Sequence, residues 1–466
     1  MHGLFPRKKT KMEFEEMLET VSRLLEEKKI SELHRMFHDM LPVDIAELLG
    51  EFEGDKLVIL FRILPKELAA DTFVLMDSDK MEALIDAFGD RELTALIEDM
   101  YLDDAVDVIE EMPANVANRV LSRASNETRR EINTLLKYPH DSAGSILTTE
   151  YVRLYPDMTV SQAFDIIRRT GIDKETVYTC YVTDRTRKLV GVVSARTLLL
   201  SDMEAVIEDV MDQNVVFVST LDDKEFVANQ LQKYDFLAIP VVDSENRMIG
   251  IVTIDDAVDV LVEEYSEDIE IMAAITPTDK PYLKQSVFSI WKNRIPWLLL
   301  LMISATFTGM IISSFEEALA AQVALTAFIP MLMDTGGNSG SQASVTVIRG
   351  ISLDELKFSD TFLVMWKELR ISALCGVSLA AATFVKIQLV DNLIMGREVT
   401  YIVAGVVCLT LLFTVVCAKL IGCSLPMLAK KLGFDPAVMA SPFITTIVDA
   451  ISLLVYFFFA KAMLGL

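Results

Sequence analysis

Hydrophobic and polar positions divide the chain into three stretches of different periodicity. From about residue 295 onward, long apolar spans run at about 295–314, 318–348, 361–389, 400–425 and 437–460. Each is near or above the ~20 residues that a helix needs to cross a bilayer. Residues 140–260 instead alternate short strand-like runs with amphipathic helices, and the first 137 residues read as short helices broken by Pro or Gly. Trp291 and Trp297 flank the first span as interface anchors.

The first stretch repeats. LPVDIAEL (41–48), LPKELAAD (64–71), FGDRELTA (88–95) and MPANVANR (112–119) start 23, 24 and 24 positions apart. GDKLVILF (54–61), SDKMEALI (78–85) and LDDAVDVI (102–109) lie between them, again 24 apart. Each unit is two short helices that cannot bury their apolar faces alone, so stacking into a small superhelix is expected. In the second stretch CYVTDRTRKLVGVVSARTLL (180–199) matches IPVVDSENRMIGIVTIDDAV (239–258) at a constant offset of 59. Each copy reads as strand, Asp-containing turn, strand ending at Gly191 or Gly250, then helix, preceded by SQAFDIIRR (161–169) or KEFVANQLQK (224–233). This β-β-α repeat resembles a tandem CBS domain pair. The resemblance implies a cleft for an adenine nucleotide such as ATP, using strand-end residues such as Thr253 and Asp256.

Charge sharpens the division. Residues 1–280 carry 30 Lys+Arg against 57 Asp+Glu, a net of −27, while residues 281–466 carry 13 against 11, a net of +2. An acidic balance argues against nucleic acid and against anionic lipid surfaces, and suits cationic ligands. Residues 255–270, DDAVDVLVEEYSEDIE, read as a helix with Asp255, Asp259, Glu263 and Glu267 at i, i+4 spacing. Asp256, Glu264 and Asp268 form a neighbouring stripe, and the next basic residue is Lys280. Like charges at that spacing cost about 0.2–0.5 kcal/mol per pair. A solvated face explains the run, and so does a divalent cation shared between carboxylates. A matching acidic cluster stands at Asp99, Asp103, Asp104 and Asp107.

Basic residues set the orientation of the spans. Lys284, Lys292 and Arg294 precede the first, Arg349, Lys357, Lys367 and Arg370 lie around the second and third, and Lys430 and Lys431 separate the last two. The opposite loops hold one Arg between them, Arg397. The N-terminal region is therefore expected in the cytoplasm, with a multi-pass plasma (inner) membrane location and the C-terminus outside. Residues 1–11 lack an apolar core, so no signal peptide is expected there. The five cysteines show no metal spacing and read as small core residues of a reducing compartment.

Chemistry concentrates in two places within the spans. Asp449 lies inside SPFITTIVDAISLLVYFFF (441–459), sharing a helical face with Pro442, Thr445 and Thr446. A carboxylate at the centre of a membrane helix costs about 2.5–3.5 kcal/mol on insertion scales and marks a functional position by default. MDTGGNSGSQAS (333–344) places Asp334, Asn338 and Gln342 among Gly336, Gly337 and Gly340. The glycines, with Pro330, are expected to break the helix and free backbone oxygens, which is tolerated only where the backbone is buried or lines water. Tight packing of small residues accounts for the glycines but not for the polar side chains. Oxygen donors without His or Cys suit a hard cation. Magnesium keeps several of its waters and needs only one or two carboxylates among carbonyls and amides.

The order of acidic helical repeat, CBS pair, acidic helix and five spans resembles the MgtE family of magnesium channels. So do PMLMDTGGNSGSQAS (330–344), SLPMLAKKLGFDPA (424–437) and SPFITTIVD (441–449). The resemblance covers nearly the whole chain. It implies a homodimer whose pore holds hydrated Mg2+ at Asp449, with Asn338 and Gly337 from the polar stretch. It also implies regulatory Mg2+ at Asp103 and Asp107, facing Asp255, Asp256, Asp259, Glu263, Glu264 and Glu267. The expected domains are an all-α helical-repeat N-domain (1–137), an α/β tandem CBS pair (138–256), a connecting helix (257–283) and a five-helix transmembrane pore domain (284–466).

Two other functions fit parts of the pattern. An ion-coupled secondary transporter of divalent cations would also use Asp449, although no inverted repeat is evident. A membrane-anchored CBS sensor regulating a partner would not need the polar stretch. An enzyme is not expected. All four histidines (His2, His34, His38, His140) lie in the N-terminal region without a catalytic constellation, and His34 and His38 read as a helix-surface pair.

Overall fold

The computed structural model describes residues 11–278, 282–353, 355–439 and 441–465. The N-terminal segment with His2, and Lys280, lie outside the described residues. The chain forms two compact units, residues 1–261 and 262–466.

The first unit opens with ten helices: α1 (Lys11–Glu26), α2 (Ile30–His38), α3 (Pro42–Gly50), α4 (Gly54–Ile63), α5 (Lys66–Val74), α6 (Ser78–Ala87), α7 (Asp90–Glu98), α8 (Leu102–Glu111), α9 (Ala114–Arg123) and α10 (Asn126–Leu135). The starts of α3, α5, α7 and α9 are 24 residues apart, and so are those of α4, α6, α8 and α10. The period therefore extends one helix beyond the quoted motifs. Odd helices stack on odd and even on even, α3 on α5 on α7 on α9 and α4 on α6. The interior is filled by Leu48, Leu49, Leu57, Leu60, Phe73, Leu84 and Ile97, all nearly inaccessible. This is the superhelix that the repeat required. His34 and His38 are exposed on α2.

Two three-stranded sheets follow. β1 (Tyr151–Leu154), α11 (Val160–Thr170), β2 (Thr176–Thr183), β3 (Leu189–Ser194), α12 (Ala195–Leu200) and α13 (Ile207–Val210) make the first repeat. β4 (Val218–Ser219), α14 (Lys224–Tyr234), β5 (Ala238–Val242), β6 (Met248–Thr253) and the start of α15 (Ile254–Met272) make the second. In each sheet the first two strands are parallel and the last two antiparallel. Lys188 and Arg247, 59 residues apart, pair with each other across the repeats, as related positions do around a pseudo-twofold axis. The helical core continues into the second repeat through Val218, Val227, Ile239 and Val252. The first repeat keeps a core of its own around Val152, Val182 and Val193.

The second unit contains α16 (Val287–Ser314), α17 (Glu316–Ala321), α18 (Ile329–Ser352), α19 (Thr361–Lys386), α20 (Tyr401–Leu432) and α21 (Ser441–Leu464). Helical segments Val287–Ser314, Phe358–Ile394, Tyr401–Leu432 and Pro436–Leu464 are long and apolar enough to cross a membrane. α18 is the fifth long helix, 24 residues, and its polar middle sets it apart. It starts at Ile329 rather than at the expected 318, after a 3₁₀ turn over Val323–Phe328. α20 is the hub, packing on α18, α19 and α21.

One expectation fails here. The glycines do not break the helix, since α18 runs unbroken from Ile329 to Ser352. Their role is close approach. A methyl group on Gly340 would lie 2.7 Å from Ile444 Cγ2 and 3.2 Å from the Ala418 carbonyl oxygen, and one on Gly422 would collide with the Gly340 carbonyl. A methyl on Gly336 would lie 2.7 Å from Thr414. Packing of α18 against α20 and α21 offsets the ~1 kcal/mol that a glycine costs a helix. Gly422→Ala must therefore push α18 and α20 apart and destabilise the folded chain by about 1–3 kcal/mol, read as a lower melting temperature in detergent. Gly309→Ala, inside α16 with open space around its site, is the control and should leave melting unchanged or raise it slightly.

Candidate metal centres

The first unit gathers carboxylates from three places. α8 carries Asp103 and Asp104 in its first turn and Asp107 one turn on. α15 begins directly after β6, and Thr253 Oγ1 donates a 2.6 Å hydrogen bond to Asp256 Oδ2. Glu175 stands just before β2, its backbone N–H bonded to the Glu150 carbonyl. Burial, then Asp104, push the Asp103 carboxyl up to about 7. Asp104 rises to about 7 through burial and the charges of Asp256, Asp107, Asp71 and Asp255. Burial and Asp103 raise Asp256 to about 7 against the opposing Thr253 bond. Glu175 goes furthest, to about 8, through burial and through Asp103, Asp255, Asp256 and Asp104. Its Oε2 is buried and has no hydrogen-bond partner among the described residues. Burial and neighbouring carboxylates dominate these four groups, with no positive charge among the influences that raise or lower them.

Other candidates fall outside the cluster. Asp99 pairs with Lys66 at 3.1 Å. Asp255 is exposed yet acts on the buried group, whereas Asp259, Glu263 and Glu267 are exposed along α15 and Glu264 is half-buried. Near the end of α15, Asp268 accepts a 3.2 Å hydrogen bond from Ser352 Oγ, and burial and Asp435 raise its carboxyl. Among the described residues no three His, Cys, Asp or Glu side chains form a ready cage for a bare ion. Glu175 and Asp71 carry no motif. Only the folding of α5, α8 and β2 around one point brings them in.

In the second unit the polar stretch is one face of α18. Asp334, Asn338 and Gln342 follow one another a turn apart and are exposed on the chain. They line a groove between α18 and α19, made of cavities of about 970 and 520 Å³. Asn338, Gln342 and Lys419 of α20 border both cavities, and Asp334 borders the smaller. Gly337 is buried on the other side, where its missing side chain admits Thr445 of α21. Its carbonyl is therefore part of an intact helix and not a freed oxygen. Asp449 is half-buried on α21 and does not line these cavities. Asp334 is the charged group that acts on it. Thr445 and Thr446 donate back to the Pro442 carbonyl at 2.9 and 3.1 Å, which leaves the carboxylate as the strongest acceptor of that face. Thr253, offered for nucleotide, is engaged with Asp256 inside the acidic cluster.

Comparison with known proteins agrees with this division. Residues 329–459 match the family model MgtE, a divalent cation transporter, and residues 40–141 match the MgtE intracellular N domain. Residues 143–204 and 207–263 each match a CBS domain. The chain is 32% identical to the magnesium transporter MgtE of Thermus thermophilus over 97% of this chain and 99% of that one. It is 32% identical to the Bacillus subtilis magnesium transporter MgtE over 97% and 98%. The soluble part of a magnesium transporter superposes with a TM-score of 0.52 at 30% identity, covering 54% of this chain and 99% of that one. The cytosolic domain of the Mg2+ channel MgtE in complex with ATP gives 0.51 at 31% identity, covering 52% and 99%. Two full-length matches at this identity leave one assignment: the chain belongs to the MgtE family, a family of transporters and not of enzymes.

Proposed function

We propose that this chain is a magnesium-selective membrane channel closed by cytosolic Mg2+. The observation that carries the reading is Asp449, a half-buried carboxylate on a helix of membrane-crossing length and apolarity, with Asp334 of the polar α18 face acting on it. Two copies of the chain would present two such faces to one hydrated ion. The side-chain oxygens of Asn338 and Gln342 would take up the hydrogen bonds of its water shell. Magnesium holds its waters tightly, so a wide ring of amides and carbonyls with few carboxylates suits it better than a closed cage.

The sensing half follows from charge. With Mg2+ high, the ion neutralises Asp103, Asp104, Asp107, Asp255 and Asp256 and stabilises the arrangement in which α8 and α15 face each other. When Mg2+ falls, repulsion in a region of net charge −27 drives the segments apart, which is a ligand favouring one of two states. Asp259, Glu263, Glu264 and Glu267 extend the attraction for cations along α15. An adenine nucleotide at the CBS pair would meet Thr253 and Asp256 through ribose hydroxyls, because the surrounding carboxylates repel phosphate. The N-terminal domains lie in the cytoplasm and the C-terminus outside, as the placement of basic residues directs.

Reconstituted in liposomes, the chain should carry Mg2+ down its gradient with a reversal potential set by Mg2+ alone. Coupling to protons or sodium would mark a secondary transporter instead. Asp449→Asn should cut uptake at least about tenfold, since one charge facing a divalent ion is worth a few kcal/mol at an effective dielectric of about 20. Uptake at the wild-type rate would remove Asp449 from the path.

Limited proteolysis of the full chain reads the sensor. Millimolar Mg2+ should slow cleavage within residues 1–280, and equal digestion with and without it would sink the sensing claim. The pH dependence has a definite sign. Carboxyls raised from ordinary values to about 7 or 8 leave the folded unit binding more protons than the unfolded chain. Stability is therefore full below about pH 4 and is lost as pH rises through about 8. In chelator, protease sensitivity of this region should climb across that window, and Mg2+ should flatten the climb. A decline in sensitivity with rising pH would contradict the clustering.

A further inference from the structure

Lys419 and Glu368 form an ion pair inside the helical bundle that neither the metal centres nor the sequence motifs use. Lys419 Nζ lies 3.6 Å from Glu368 Oε2, with side chains only 7% and 11% exposed. Among the described residues the buried Oε2 accepts no hydrogen bond, so charge holds the pair. Lys419 stands mid-way along α20 and Glu368 two turns into α19. Ionisable side chains in membrane helices are costly and rare, and mark ion paths or pair with one another.

Its setting gives the pair a role. The Lys419 side chain borders both cavities of the groove, beside Asn338 and Gln342, and Asp334 lines the smaller one. A tethered ammonium at that point is a cation next to oxygen donors of the face read as the Mg2+ path. Left uncompensated it would occupy those donors and repel any divalent ion. Glu368 is the acidic side chain lining the larger cavity, on the wall opposite α18. We propose that Glu368 is a positioning residue for conduction: it neutralises Lys419 and holds its ammonium toward α19, away from Asp334, Asn338 and Gln342. This rests on the channel reading above. It differs from a plain packing role because removing Glu368 alone creates a tethered competitor, whereas removing both partners does not.

The test uses the full chain in liposomes loaded with a Mg2+-sensitive dye, comparing Glu368→Gln, Lys419→Met and the double variant. A tethered competitor has a kinetic signature. Glu368→Gln should raise the half-saturating Mg2+ concentration roughly tenfold, with maximal uptake at high Mg2+ retained within about twofold, and Lys419→Met in that background should restore it. Lys419→Met alone should conduct with unchanged or lower half-saturation. Loss of maximal uptake to the same extent in Glu368→Gln and the double variant overturns the proposal, as does a wild-type half-saturation in Glu368→Gln. If Glu368→Gln does not fold, Lys419→Met decides: a folded protein that has lost uptake overturns the proposal, and one that conducts supports it. A wild-type chain that carries no Mg2+ refutes the channel reading instead.

Discussion

Carboxylates held where water is scarce set the terms for both units. Burial raises the energy of each ionised carboxyl, and a neighbouring carboxyl raises it further. The protein meets this in two ways. Glu368 is given an internal partner in Lys419. For Asp103, Asp104, Asp256 and Glu175 the main influences are burial and other carboxylates, with no positive charge among them, and their carboxyls sit near neutrality's edge as a result. A group kept unpaired at such cost responds to whatever cation or proton the solvent supplies, which is the property a sensor needs.

The helix α18 shows how one segment can satisfy packing and polarity together. At about 100° per residue, Asp334, Asn338 and Gln342 fall within one sector, Gly336 and Gly340 fall on the far side, and Gly337 lies on the flank that meets Thr445. The glycines seat the helix against α20 and α21, and the polar residues stay on the groove side. Tight packing and a polar wall, which looked like competing explanations for the same twelve residues, are two faces of one intact helix. Breaking the backbone was unnecessary because the side chains already supply the oxygens.

What could be read from the chain alone was whatever repeats locally. The 24-residue period predicted stacked helix pairs, and the helix starts keep it. The offset of 59 predicted two matched sheets, and Lys188 opposite Arg247 marks their pairing. Long apolar runs predicted the span-length helices. What remained hidden depends on contacts between distant segments. Nothing beside Glu175 marks it as part of an acidic cluster. Glu368 looks like one more charge near a span edge, between Lys367 and Arg370. Lys419 differs from the lysines at span ends because it falls in the middle of an apolar run, where an ammonium needs an internal partner. An unpaired lysine at that position is the signal that would have found the pair.

One element joins the two chemistries. α15 runs without a break from Ile254 to Met272, with Asp256 in the acidic cluster at its start and Asp268 bonded to Ser352 near its end. Both are raised by burial and by like charges, so each end of the helix is held in an arrangement that ionisation opposes. A cation bound at either end lowers the cost of that arrangement. The effect scales with the difference in cation affinity between the two states and not with affinity itself. A weak, hydrated and shared cation site among such carboxylates would therefore suit graded control better than a tight cage, because a cage would saturate at low concentration and hold one state above it.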